Sequence, residues 1–98
     1  MGTMEHYLDE LELTDTREFE QEYGTDDDVE PVYSVYAIYA GSDNGTWHFY
    51  FLRNAYAAYL TIQDYVKSWT DEHELIDGDG VYLYDTWAGE IIAGYRMA

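Results

Sequence analysis

Apolar and polar positions organise the chain most clearly between Val32 and Leu52, VYSVYAIYAGSDNGTWHFYFL, where two runs of β-branched and aromatic residues flank Asp43, Asn44 and Gly45. Asn-Gly between such runs is the strongest short-range signal for a two-residue hairpin turn. A turn there sets Asp43 opposite Thr46, Ala40 opposite Phe49 and Ile38 opposite Phe51. Tyr36, Ile38, Ala40, Trp47, Phe49 and Phe51 then share the face expected to form the core. The other face, with Val35, Ala37, Tyr39, His48, Tyr50 and Leu52, is too apolar for plain exposure to solvent.

After Leu52 the period changes from two to 3.6. Ala55, Tyr59, Ile62, Val66 and Trp69 recur at helical spacing behind Asn54, a good N-cap residue, which predicts the main helix over about Ala55 to Glu72. Tyr56, Ala58 and Tyr65 widen the stripe, so this helix should lie flat on the hairpin. Asp77-Gly78-Asp79-Gly80 ends the helical region, and Val81 to Tyr84 and Glu90 to Arg96 read as a second hairpin around a turn from Asp85 to Gly89.

Upstream of the first hairpin, residues 5–13 (EHYLDELEL) place Leu8 and Leu11 at helical spacing but Leu11 and Leu13 at the alternation of a strand, and helix is the preferred of the two readings. Thr14 or Asp15 can cap a second short helix, with Glu18 in capping-box position, Phe19 and Tyr23 one turn apart and Gly24 as the stop. Asp15, Glu18 and Glu22 should then form an outward acidic ridge. Residues 25–31 (TDDDVEP) read as loop, because adjacent carboxylates repel and Pro31 forces Glu30 out of helical geometry. The expectation is an α+β fold: a mostly antiparallel sheet of about four strands, in two hairpins, packed on one main helix after a short acidic helical region. The 98 residues suffice for one core, hence one domain over 1–98, with an acidic helical part (1–30) and a hairpin-helix-hairpin core (31–98).

Charge changes the picture most. The chain has 21 acids against Arg17, Arg53, Lys67 and Arg96, a formal charge of −17. It is segregated: residues 1–30 hold 12 acids and one base (net −11), residues 31–63 hold Asp43 and Arg53 (net 0), and residues 64–98 hold eight acids and two bases (net −6). Such a balance repels nucleic acid and anionic membranes and favours basic partners. Absence of Cys excludes disulfides and thiolate chemistry. The first residues lack a basic n-region followed by an apolar stretch, and no apolar run approaches a membrane span, so a soluble, cytoplasmic protein is expected, in the host cytoplasm if the chain is viral.

Dedicated chemistry finds no support in the motifs. Counted from Asp77, the fifth and twelfth positions of a calcium loop are Val81 and Ala88, and counted from Asp26 the sixth is Pro31 rather than Gly. His6, His48 and His73 have no metal-ligand spacing, no Ser or Thr sits in a nucleophile motif, and Gly78 and Gly80 lack a phosphate-loop Lys. No metal, cofactor or catalytic residue is therefore assigned, and the chain is read as a binding protein rather than an enzyme. Most of its aromatic residues belong in the core; Trp87, at a predicted turn, is the expected exception.

In size, charge and lack of catalytic motifs the chain resembles the small acidic inhibitors that phages direct against restriction enzymes and CRISPR effectors. The resemblance is compositional and spans the whole chain. It implies a polyanion mimic whose partner is a basic nucleic-acid-binding protein, a nuclease or CRISPR effector subunit, with no direct contact to nucleic acid or membrane. The residues expected to meet that partner are Asp15, Glu18, Glu22, Asp26, Asp27, Asp28 and Glu30, extended by Asp71, Glu72, Glu74, Asp77 and Asp79, with Trp87 beside them. Two other readings of the same acidity stand: salt adaptation in a halophile or its virus, and an acidic module that self-associates, for instance as a homodimer, through hairpin edges.

Overall fold

A computed structural model describes residues 2–24, 29–39, 41–67 and 77–97. The chain forms α1 (Gly2–Tyr23), β1 (Tyr33–Tyr39), β2 (Ser42–Phe49), α2 (Leu52–Val66), β3 (Gly80–Asp85) and β4 (Glu90–Arg96). The strands make one antiparallel sheet in the order β2-β1-β3-β4. The fold is α+β, two hairpins and a main helix as the periodicities predicted. The connection from β2 through α2 to β3 passes over β1, so the two hairpins share one sheet with β1 and β3 in its centre.

One face of the sheet carries the core. Val35 and Ala37 from β1, Trp47 and Phe49 from β2, and Val81 and Leu83 from β3 are buried with Ala55, Ala58, Tyr59, Ile62 and Val66 of α2 and with Leu8 of α1. The α2 stripe is the predicted one as far as Val66; its expected continuation to Trp69 and Glu72 lies outside the described residues. Of the aromatic residues assigned to the core face of the hairpin, Trp47 and Phe49 are buried and Phe51 is half-buried.

The hairpin register differs from the expected one. Tyr33 pairs with Phe49, Val35 with Trp47 and Ala37 with Gly45, and the chain reverses between Tyr39 and Ser42. Partner numbers therefore sum to 82 (Tyr33 and Phe49) rather than 89 (Asp43 and Thr46), a slip of seven residues. An odd slip moves one strand's side chains to the opposite face, so Val35 and Ala37 face the helices while Tyr36 and Ile38 lie on the other side. Asn44-Gly45 is a bulge inside β2, not a turn: Asp43 pairs with Ile38 and Gly45 with Ala37, leaving Asn44 extra. Asp43 accepts hydrogen bonds from the Gly45 amide (2.8 Å) and the Thr46 hydroxyl (3.2 Å), which stabilises the bulge locally. The positive φ that the reversal needs comes from Gly41, at 79°. Packing decides the register: Val35 and Ala37 lie next to Leu83 and Val81 on β3, so small and aliphatic side chains gather under α2 while Tyr36, Tyr82 and Tyr84 alternate to the other face.

Two local predictions at helix ends are also corrected. Residues 2–23 form a single helix without a break at Thr14 or Asp15. Thr16 donates its hydroxyl to the Glu12 carbonyl (3.1 Å), a bond made within a continuing helix. Gly24 does end α1, with φ of 81° and its amide bonded to the Glu20 carbonyl. At the start of α2 the N-cap is Phe51, not Asn54, and it makes no side-chain cap bond. The cap comes from α1.

Candidate functional site

Four acids on α1 recur every three residues, Asp9, Glu12, Asp15 and Glu18, and all four turn towards β2 and α2. Asp9 accepts from the Trp47 indole N–H (2.9 Å) and Glu12 from the His48 amide (2.7 Å) on the outer edge of β2. Asp15 is fully buried. One of its oxygens accepts from the Tyr50 amide (2.6 Å), and the other from the Phe51 amide (3.1 Å) and the Asn54 side chain (2.8 Å). A carboxylate at this point satisfies donors at a helix start and sits at the positive end of the α2 dipole. Glu18 pairs with Arg53 (2.6 Å) and accepts a longer bond from Asn54 (3.3 Å). The Arg53 bond, then that of Asn54, holds the Glu18 carboxyl below the ordinary glutamate range.

The expected ridge of Asp15, Glu18 and Glu22 is therefore not an outward surface: Asp15 is structural, Glu18 is half-buried and paired, and only Glu22 is exposed. The side of α1 away from the core carries exposed His6, Glu10, Leu13, Arg17 and Glu20. The second flank is divided in the same way. Asp79 is buried, with Oδ1 accepting the Gly41 amide (3.0 Å), and so ties the first hairpin to the start of β3; it is no contact residue. Asp77 is exposed and paired with Arg96 (2.6 Å). Glu30 is exposed. Asp26, Asp27, Asp28, Asp71, Glu72 and Glu74 lie outside the described residues.

Carboxylates collect where α1 ends. Phe19 stacks on Tyr50 with ring centroids 4.0 Å apart, and the Tyr50 hydroxyl donates to the Val29 carbonyl (3.2 Å), so the segment that follows α1 is drawn back beside it. Burial, then the charges of Glu20, Asp15 and Glu30, raise the Tyr50 hydroxyl above the ordinary tyrosine range. Glu20 and Glu30 thus act on one ring from two segments, and Glu22 is exposed in the same last turn of α1. The last turn of α1 contains no base. Among the described residues the ion pairs are Arg53–Glu18, Lys67–Asp64 and Arg96–Asp77, so Glu20, Glu22 and Glu30 keep their charge unpaired.

Trp87 is 79% exposed in the β3–β4 turn, as expected. The Asp85 carboxylate holds that turn by accepting the Trp87 and Ala88 amides, both at 3.0 Å. Tyr39 lies at the far end of β1 from Tyr33, which pairs with Asp85, so Tyr39 and Trp87 are at opposite ends of the sheet. The inward acids Asp9 and Glu12 were not singled out from the sequence; their spacing of three was the available signal. No helix among the described residues is long and apolar enough to cross a membrane, and no group of three His, Asp or Glu there could hold a metal ion.

Comparison of the chain with protein-family models, curated proteins and solved structures yields no match.

Proposed function

We propose that this chain is a non-catalytic acidic binding protein that inhibits a nucleic-acid-binding protein by occupying its basic groove as a polyanion would. The observation that carries the reading is the end of α1: Glu20 and Glu22 in a last turn without a base, with Glu20 and Glu30 both acting on the Tyr50 hydroxyl. Acids at a helix C-terminus oppose the helix dipole, at about 0.3 to 1 kcal/mol each. Like charges close together add repulsion. Stability alone would favour Lys or Arg there, so the arrangement suits a cation supplied from outside. The helix itself is about 33 Å long, close to one turn of a DNA duplex, which matches the length of a basic groove made for nucleic acid.

The structure-guided test neutralises Glu20, Glu22, Glu30, Asp26, Asp27 and Asp28 to the corresponding amides and leaves Asp15 and Glu18, which hold the start of α2. After affinity capture of the partner from a host lysate, binding of wild type and variant is measured with and without DNA or RNA. Exposed ion pairs contribute about 0.2 to 1 kcal/mol each, so the six together should change affinity by roughly 10- to 20,000-fold. Affinity should also fall as salt rises, and nucleic acid should compete. Simultaneous binding of nucleic acid and this protein to the partner, with the amide variant as tight as wild type, overturns the reading.

A further inference from the structure

The helix layer covers the sheet incompletely. α1 reaches β2 and α2, α2 lies on β1, β2 and β3, and among the described residues neither helix packs extensively on β4. Between α2 and β4 an apolar groove of about 550 Å³ is left open, lined by Leu52, Arg53, Tyr56, Leu83, Ile92 and Ala93. Leu52 and Tyr56 are successive members, with Leu60, of an i, i+4, i+8 row along α2, and all three are between 43% and 47% exposed. Trp87 stands in the turn of the same hairpin whose Leu83 and Ala93 form the groove floor. At 79% exposure its ring does not fill its own groove.

We propose that a second copy of this chain occupies the groove: Trp87 of each copy inserts between α2 and β4 of the other in a two-fold symmetric dimer. A two-fold interface needs a surface that is its own complement, and a protruding ring beside a vacant slot meets that need. Exposed Glu90 and half-buried Asp85 flank the Trp87 turn, while Arg53 stands on the groove wall with a half-exposed side chain. Arg53 already pairs with Glu18 (2.6 Å), so the acids of the knob would meet it as a second carboxylate and the contact rests on the ring and the slot. Charge is also sparser here than on α1: residues 31–63, which include α2 up to Gln63, hold one acid and one base, against a net −11 for residues 1–30. Two chains of charge −17 could not approach as closely through α1. Trp is the residue most enriched among contacts that dominate binding energy, and such contacts sit in desolvated pockets.

Sedimentation equilibrium from micromolar protein to about 1 mM, at ~0.15 M and ~1 M salt, tests the proposal. A reversible dimer is expected, tighter at high salt because the net repulsion is screened. Trp87→Ala should weaken it about 30-fold or more while leaving the circular dichroism spectrum unchanged, since the ring contributes little to the monomer's burial. Leu52→Glu should weaken it similarly by spoiling the slot. The decisive sample is a mixture of the two variants: the Leu52→Glu chain keeps an intact Trp87 and the Trp87→Ala chain an intact groove, so the pair should associate more tightly than either variant alone. A wild type that stays monomeric at the highest concentration overturns the proposal, as does a Trp87→Ala variant that dimerises like wild type. No gain on mixing also overturns it, because an undirected apolar patch would behave that way.

Discussion

Removing Asp15 should separate a structural carboxylate from its solvated neighbours. In Asp15→Ala the amides of Tyr50 and Phe51 and the side chain of Asn54 all lose their acceptor at a point shielded from water. Hydrogen bonds to a charged group contribute about 1.5 to 3 kcal/mol, and a buried donor left unsatisfied costs about 1 to 3 kcal/mol. Against this, the buried carboxylate no longer has to be desolvated. The net loss should be roughly 2 to 4 kcal/mol, above the usual cost of deleting a helix cap. For a domain of this size that lowers the melting temperature by roughly 10 to 25 °C. Urea unfolding followed by circular dichroism measures it, with Glu22→Gln, at an exposed position, expected within about 0.5 kcal/mol of wild type. Combining Asp15→Ala with Asn54→Ala should cost less than the sum of the two, because they share one bond. If Asp15→Ala lies within 0.5 kcal/mol of wild type, the cap supplied by α1 is not what holds the start of α2.

Phe49→Ala empties a fully buried position shared by the sheet and α2, and should cost about 3 to 5 kcal/mol in the same unfolding measurement; an unchanged midpoint would contradict the observed register. Glu18 titrates lower in the folded chain than in the unfolded one, so its pairing adds stability above the unfolded-state pKa and loses it as pH falls through the folded value. The stability gap between wild type and Arg53→Gln should therefore be largest near neutrality and close below about pH 4, and a gap independent of pH would refute the pairing. Salt distinguishes mimicry from salt adaptation: at ~0.15 M, where exposed charges are screened beyond about 8 Å, a mimic from an ordinary cell should give a folded far-UV spectrum, whereas a chain that folds only in molar salt is salt-adapted.

The elements were legible wherever one periodicity ran long enough. The α2 stripe from Ala55 to Val66 and the alternation in both hairpins predicted helix and strands in the observed order. Register was not legible, because Asn44-Gly45 has the same composition in a bulge as in a turn, and only pairing with β3 on the far side of β1 decides between them. The roles of the acids were less legible still. Asp9, Glu12, Asp15 and Glu18 look like any polar helix positions until their partners are known, and those partners include backbone amides of β2 and the chain that follows it, which leave no mark in the sequence. Asp79 was misread for the same reason, since its partner is the Gly41 amide, 38 residues away. Trp87 was readable as exposed because a turn of small and polar residues cannot bury an indole.

The two edges of the sheet are treated in opposite ways, and this connects fold to function. An open strand edge invites pairing with another chain. At β2 the invitation is withdrawn by α1, whose Glu12 carboxylate takes the His48 amide while Asp15 takes the two amides just beyond the strand. Carboxylates here replace a neighbouring strand, which a chain this acidic can supply at little further charge. At β4 no strand among the described residues pairs with the outer edge, but Ile92 forms a bulge opposite Leu83 and Tyr84, and a bulged edge is a poor template for strand addition. Association on that side is thereby directed away from the edge and into the groove beside α2. The acidic end of α1 and the apolar groove are different surfaces that meet at Arg53, which pairs with Glu18 and lines the groove. Salt should then act on them in opposite directions, weakening the contact that depends on charge attraction and strengthening the one that forms despite charge repulsion.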